Sequence, residues 1–226
     1  MSHTLYLISI WLLPVLVAIT LHEAAHGYVA WKLGDDTAWR LGRVTFSPFR
    51  HIDPVGTVVV PGILLLAQSP FLFGWAKPVP VNFMRLRRPR RDMVLVAAAG
   101  PGINLALAFV SALAMHAAVL LPPEAARWGM SNLWNSVLIN LVLAVFNMLP
   151  LPPLDGGRVA VGLLPRALAA PLARLERIGF LIVILVLFLV PYLAGRLGWG
   201  FDPLAWLVGG PVEFLFRQVM ALAGHG

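Results

Sequence analysis

The stretch ITLHEAAHGYVAW, residues 19–31, sets His22, Glu23 and His26 inside an otherwise apolar run. On a helix, residues four apart share one face, so the two imidazoles can bind a single ion. Glu23 lies beside that face and can reach a water held there. This is the H-E-x-x-H arrangement with which zinc makes water a nucleophile. With the His and Glu content of this chain, random placement yields the pattern roughly three times in a thousand. The plain alternative is a set of polar residues lining an interhelical contact or a water cavity. The chain has no cysteine, so any metal must be held by His, Asp or Glu.

Two neutral imidazoles do not complete a zinc site; a third protein ligand is expected, with one position left for water. Asp53 and Glu176 fall at expected membrane interfaces, and Asp92 precedes the second long helix. Asp155 lies in LPPLDGG, where the third helix approaches the end of the molecule that holds His22 and His26. Spacing alone does not bring these groups into contact, and an aspartate after a proline-rich break serves equally as a turn or helix cap. Pro150, Pro152 and Pro153 interrupt helical hydrogen bonding, and Gly156-Gly157 allows close backbone approach. Asn147 is a candidate donor to substrate backbone or to a developing oxyanion, or else an interhelical contact. Asn104 carries the same two readings and leans to the structural one, because it follows the Gly100-Pro101-Gly102 break.

These residues must be positioned by membrane helices. Of 226 residues, 59% are hydrophobic and 12% charged, against about a quarter charged in soluble domains. The pattern predicts an all-α polytopic membrane protein in one domain, residues 1–226, with a core over 5–165 and a C-terminal helix and interfacial tail over 166–226. Residues 5–33 read as a retained first helix rather than a signal peptide, since no Lys or Arg precedes the apolar run. Further spans are expected at 93–121, 133–149 and 178–193, and a short interfacial helix at 212–224. The segment 55–76 is apolar but broken by Pro61-Gly62 and Pro70.

Positive charge gives the topology. If 55–76 crossed fully, the loop with Lys32, Arg40, Arg43 and Arg50 would lie opposite the loop with Lys77, Arg85, Arg87, Arg88, Arg90 and Arg91. One strongly basic loop would then be outside, against the usual bias. A re-entrant 55–76 puts both inside, together with Arg158, Arg166, Arg174 and Arg177. The expectation is therefore four spans, an outside N-terminus and a cytoplasmic-side site. A fifth full span is the competing reading. RVTFS (43–47) and the residues before Pro61 are rich in β-branched side chains and are candidate strand edges for an extended substrate.

HEAAH followed far downstream by NMLPLPPLDGG resembles the site-2 protease family of intramembrane zinc metalloproteases. GWAKPVPVN (74–82) and AAGPGIN (98–104) resemble its bacterial short-form branch. The resemblance spans about residues 15–160. It implies that His22, His26 and Asp155 bind one zinc ion per chain, and that Glu23 is the catalytic acid and base. It further implies a re-entrant, partly β element after the first helix, single-span membrane proteins as substrates, and a place in the bacterial inner membrane. The PDZ and CBS domains of many relatives do not fit in these 226 residues.

Composition also limits the rivals. The formal charge of +7 comes from arginines clustered between apolar segments, the pattern of cytoplasmic loops, so the lipid bilayer is an expected partner and nucleic acid is not. An ion or metal transporter using the His/Glu/Asp cluster is the alternative function. Such a protein is expected to repeat its architecture in two halves, and no internal repeat is present.

Overall fold

The computed structural model describes residues 3–66, 74–198 and 205–226. Helix α1 (His3–Lys32) is followed by the single turn α2 (Thr37–Arg40). A π-helical turn, Pro54–Val59, leads into α3 (Val60–Leu66). The long helices α4 (Pro89–Ala118) and α5 (Pro123–Asn147) form a hairpin. After them come α6 (Asp155–Leu163), α7 (Arg166–Arg174), α8 (Glu176–Ile184), α9 (Val190–Arg196) and α10 (Gly210–Leu222). No strand occurs among the described residues.

Among the described residues three helices, α1, α4 and α5, are long and apolar enough to cross a membrane. The expected fourth span, 178–193, falls on α8 and α9, which a π-helical stretch (Leu185–Leu189) joins end to end. Helix α5 starts earlier than the apolar pattern implies, because Pro123 sits at its first position, where its missing N–H costs nothing. The tail helix α10 is present and docks on the α4–α5 hairpin. Val208, Val212 and Val219 pack there with Ala108, Ala112, Val137 and Leu141.

Helix α4 is the hub. Small residues on it (Ala97, Gly100, Ala108 and Ala112) are buried and bring its backbone close to its neighbours, as small residues do in membrane helix pairs. Buried asparagines supply cross-ties. Asn135 donates to the Ile10 carbonyl at 2.9 Å, joining α5 to α1. At the basic end of α1, Trp31 stacks on Trp39 with centroids 4.4 Å apart, and Lys32 Nζ lies 4.4 Å from the Trp31 ring. Tryptophan and lysine are side chains favoured where a membrane helix meets water.

The region between α1 and α4 differs from the strand expectation. The residues before Pro61 are helical, with Asp53 capping the turn by accepting from the Val55 and Gly56 N–H groups at 3.0 and 2.7 Å. Residues 43–47 carry no strand, with bends at 44–46. A local cap therefore wins over the β-branched preference. The chain then comes back to its starting point. Trp75 N–H donates to the Gly56 carbonyl at 3.1 Å and Lys77 N–H to the His51 carbonyl at 2.9 Å. Residues 67–73, with Pro70, lie outside the described residues.

Candidate metal centre

His22 and His26 project from successive turns of α1, and Asp155 opens α6. Their ligand atoms converge. Nε2 of His22 and Nε2 of His26 are 3.0 Å apart. Asp155 Oδ2 lies 3.3 Å from the first and 3.2 Å from the second. All three residues are buried, at 7%, 8% and 6% exposure. Ligands about 2.0–2.1 Å from a tetrahedral zinc stand roughly 3.3–3.4 Å apart, so the triangle matches three corners of such a site.

The outer hydrogen bonds decide what these atoms are. His26 Nδ1 faces the Val96 carbonyl at 2.7 Å, and His22 Nδ1 faces Asn104 Oδ1 at 2.6 Å. The Val96 carbonyl can only accept, and Asn104 presents its oxygen to His22 because its NH2 is bonded to Asn140, so each Nδ1 carries the proton and each Nε2 presents a lone pair. Three electron-rich atoms thus meet without a donor between them, and Asp155 Oδ2 is buried with no hydrogen-bond partner. Burying such a set is costly unless a cation joins it. A proton on either ring is the competing solution. Burial then works to raise the Asp155 carboxyl, but hydrogen bonds from His22 and His26 outweigh it and hold the group below the usual carboxylate range. Asp155 is an anion under both solutions. The donor set of two neutral imidazoles and one carboxylate fits zinc.

The surroundings leave room for the ion. A Cβ on Gly100 would collide with Nε2 of His26 and with the His22 ring, so the bare backbone of α4 forms the wall behind the pair. Gly156 and Gly157 pack against the 148–152 backbone so closely that no side chain fits. That contact turns the chain from the end of α5 into α6 and aims Asp155 inward.

In front of the triad lies a cavity of about 630 Å³ with mainly apolar walls, including Ile19, Val96, Leu143 and Phe146. Glu23 and Asn147 line it. Glu23 Oε2 accepts from the Val79 N–H at 2.7 Å. Val79 belongs to the segment 74–82, which runs without regular structure across the cavity. Arg43 Nη2 donates to the Lys77 carbonyl at 2.8 Å, and Asn82 N–H donates to Asp35 Oδ2 at 2.6 Å. Pro78 and Pro80 carry no N–H, so Val79 supplies the one backbone donor of residues 78–80.

Of the sequence candidates, His22, His26 and Asp155 are brought together, and Glu23 and Asn147 share their cavity. The Asn147 amide donates to the Leu143 carbonyl at 3.0 Å. Asn104 is not among the residues lining the cavity; it is fully buried behind His22. Asp53 and Asp92 are engaged elsewhere, Asp53 as the cap already described and Asp92 as acceptor for the Arg88 N–H at 2.8 Å. Glu176 pairs with Arg158 at 3.0 Å. The Val79 N–H was not singled out in the sequence, and Gly100 only as part of the Gly100-Pro101-Gly102 break. A lone N–H between two prolines and a glycine four residues before an asparagine were the only signals available for them.

A bundle of apolar helices with a buried His/His/Asp centre and a neighbouring glutamate defines a membrane-embedded metallohydrolase. Comparison with known proteins agrees. The model of the family described as "Peptidase family M50" matches residues 115–190. "Putative zinc metalloprotease YwhC" of Bacillus subtilis (strain 168) is 43% identical over 193 residues, covering 84% of this chain and 84% of its own. "Putative zinc metalloprotease Rip2" of Mycobacterium tuberculosis (strain ATCC 25618 / H37Rv) is 34% identical over 193 residues, covering 85% and 70%. That of Mycolicibacterium smegmatis is 32% identical over the same length. No solved structure matches. The chain belongs to peptidase family M50, the site-2 proteases, and is an integral membrane metalloprotease.

Proposed function

We propose that this protein is a zinc-dependent intramembrane endopeptidase that hydrolyses peptide bonds within or near the membrane-spanning segment of single-span proteins. The observation that carries the reading is the convergence of the three lone pairs of His22, His26 and Asp155 at the base of an apolar cavity that Glu23 also lines. The metal family and the relatives' names favour proteolysis over the transporter alternative.

When bound by His22, His26 and Asp155, zinc supplies Lewis acidity, bringing the pKa of water near 7 and polarising a carbonyl. Glu23 takes a proton from the attacking water and delivers it to the departing amide nitrogen. The Val79 N–H fixes the direction of the Glu23 carboxylate for both transfers. Asn147, released from the Leu143 carbonyl, presents its amide to the substrate carbonyl. The apolar walls exclude bulk water and accept the side chains of a locally extended membrane segment.

The proposed setting is the bacterial inner membrane, with four spans, an outside N-terminus and the site toward the cytoplasm. The pairing of Gly56 with Trp75 and of His51 with Lys77 supports re-entry, since the chain leaves and returns at one level. The test of the function is Glu23→Gln, which keeps the ligands and removes the base. Cleavage of a co-expressed single-span protein, followed by immunoblot, should vanish while zinc content stays at one ion per chain. Undiminished cleavage by the variant would overturn the assignment.

A further inference from the structure

Behind His22 a chain of buried hydrogen bonds runs away from the cavity between α4 and α5. His22 Nδ1–H donates to Asn104 Oδ1 at 2.6 Å, and Asn104 Nδ2 donates to Asn140 Oδ1 at 2.7 Å. Asn140 Nδ2 in turn donates to the Ser136 carbonyl at 2.9 Å, with Ser136 Oγ at 3.3 Å. Both asparagines are fully buried.

An amide side chain has two nearly equal-shaped ends, and rotation by half a turn exchanges donor for acceptor. If Asn104 turned its NH2 toward His22, Nδ1 would have to accept, and the ring proton would move to Nε2. The lone pair facing His26 and Asp155 would then be lost. Asn104 cannot set its own direction by contact with His22, because either orientation makes a hydrogen bond there. The direction is fixed from the far side. The Ser136 carbonyl is main chain and can only accept, so it turns the Asn140 NH2 toward itself. That leaves Asn140 Oδ1 facing Asn104, which must answer with its NH2. Ala18 offers Asn104 a second carbonyl, but at 3.4 Å. His26 needs no such relay, because its Nδ1 partner is already the Val96 main chain.

We infer that Asn140 is a positioning residue for His22, transmitting the polarity of the Ser136 carbonyl through Asn104 so that the His22 Nε2 lone pair faces the metal. The inference rests on the proposed zinc site. Partners of this kind typically alter metal affinity about 10–100-fold when removed, and the Ala18 contact places the expected effect toward the lower end.

The experiment is zinc competition against a chelator on the purified full-length chain, with 15N-histidine NMR of the ring nitrogens. Asn140→Leu should weaken zinc binding about tenfold and add a ring signal for the Nε2–H tautomer. Asn140→Asp should bind like the parent, since a buried acid group still accepts from Asn104 and donates to Ser136. Ser136→Ala keeps the carbonyl and should also be parent-like. Asn140→Ala applies the same criteria if the leucine variant does not fold. Parent-like affinity and tautomer in the leucine or alanine variant would overturn the inference, as would an aspartate variant as weak as the leucine one. Failure of the parent itself to bind zinc would instead overturn the metal assignment.

Discussion

His22, His26 and Asp155 are buried deep enough that each needs a partner for every polar atom, and their inner atoms face one another. The cost of placing two imidazoles and a carboxylate among apolar helices is offset only by a cation or a proton between them. The space for that cation is set by what Gly100 lacks. Replacing it with alanine improves intrinsic helix propensity by about 1 kcal/mol, so α4 should form at least as readily. The added methyl nevertheless collides with both imidazoles. Gly100→Ala is therefore expected to retain the fold and lose zinc, with metal per chain after dialysis falling at least tenfold, consistent with the sensitivity of metal sites to their surroundings. Gly102→Ala, where a methyl meets nothing within 4 Å, should keep full zinc occupancy. Loss of metal in both would show that helix α4 itself, and not the wall behind the histidines, was disturbed. His22 and His26 were legible in the sequence because H-x-x-x-H reports a helical face directly, whereas Asp155 was singled out by the resemblance of its LPPLDGG motif. Asn140 was not, because its contact with Asn104 depends on the register between α4 and α5, which no local pattern encodes.

The segment 74–82 shows how an element without regular structure can still be rigid. It is held at one end by the His51 carbonyl and Arg43 and at the other by Asp35, and the proline alternation leaves Val79 N–H to meet Glu23. The residues from Lys77 onward read as a loop in the sequence, and no strand forms over 74–82. Pro78 and Pro80 each remove a ladder donor, and the N–H groups of Lys77, Val79 and Asn82 go to His51, Glu23 and Asp35 instead. Arg43 is 8% exposed and donates to the loop backbone. Arg43→Met keeps the apolar stem but deletes that donation. A hydrogen bond from a charged donor contributes about 1.5–3 kcal/mol. The variant should therefore hold zinc normally while cleaving substrate roughly tenfold more slowly, as Glu23 loses its fixed direction. Parallel losses of zinc and activity would mean the segment supports the ligands rather than the base.

Taken whole, the molecule places its three long spans so that the site lies toward the basic end of α1, and the arrangement depends on which face each loop occupies. The charge count and the Gly56–Trp75 closure point the same way by unrelated routes, one electrostatic and one geometric. If 55–76 enters and leaves through the cytoplasmic face, Phe49 and Met84 share a side, and Leu120, between α4 and α5, lies on the other. A complete crossing by 55–76 would separate Phe49 from Met84. The chain has no cysteine, so single cysteines report without background, and all three positions are well exposed, at 81%, 84% and 83%. In intact cells made permeable only at the outer membrane, a membrane-impermeant maleimide should label Leu120→Cys and spare Phe49→Cys and Met84→Cys. Both of the latter should become reactive once the inner membrane is opened. Labelling of one of them but not the other in intact cells would replace re-entry by a full span. The site's depth would then have to be assigned afresh, because His22 and Val79 would no longer approach from the same side.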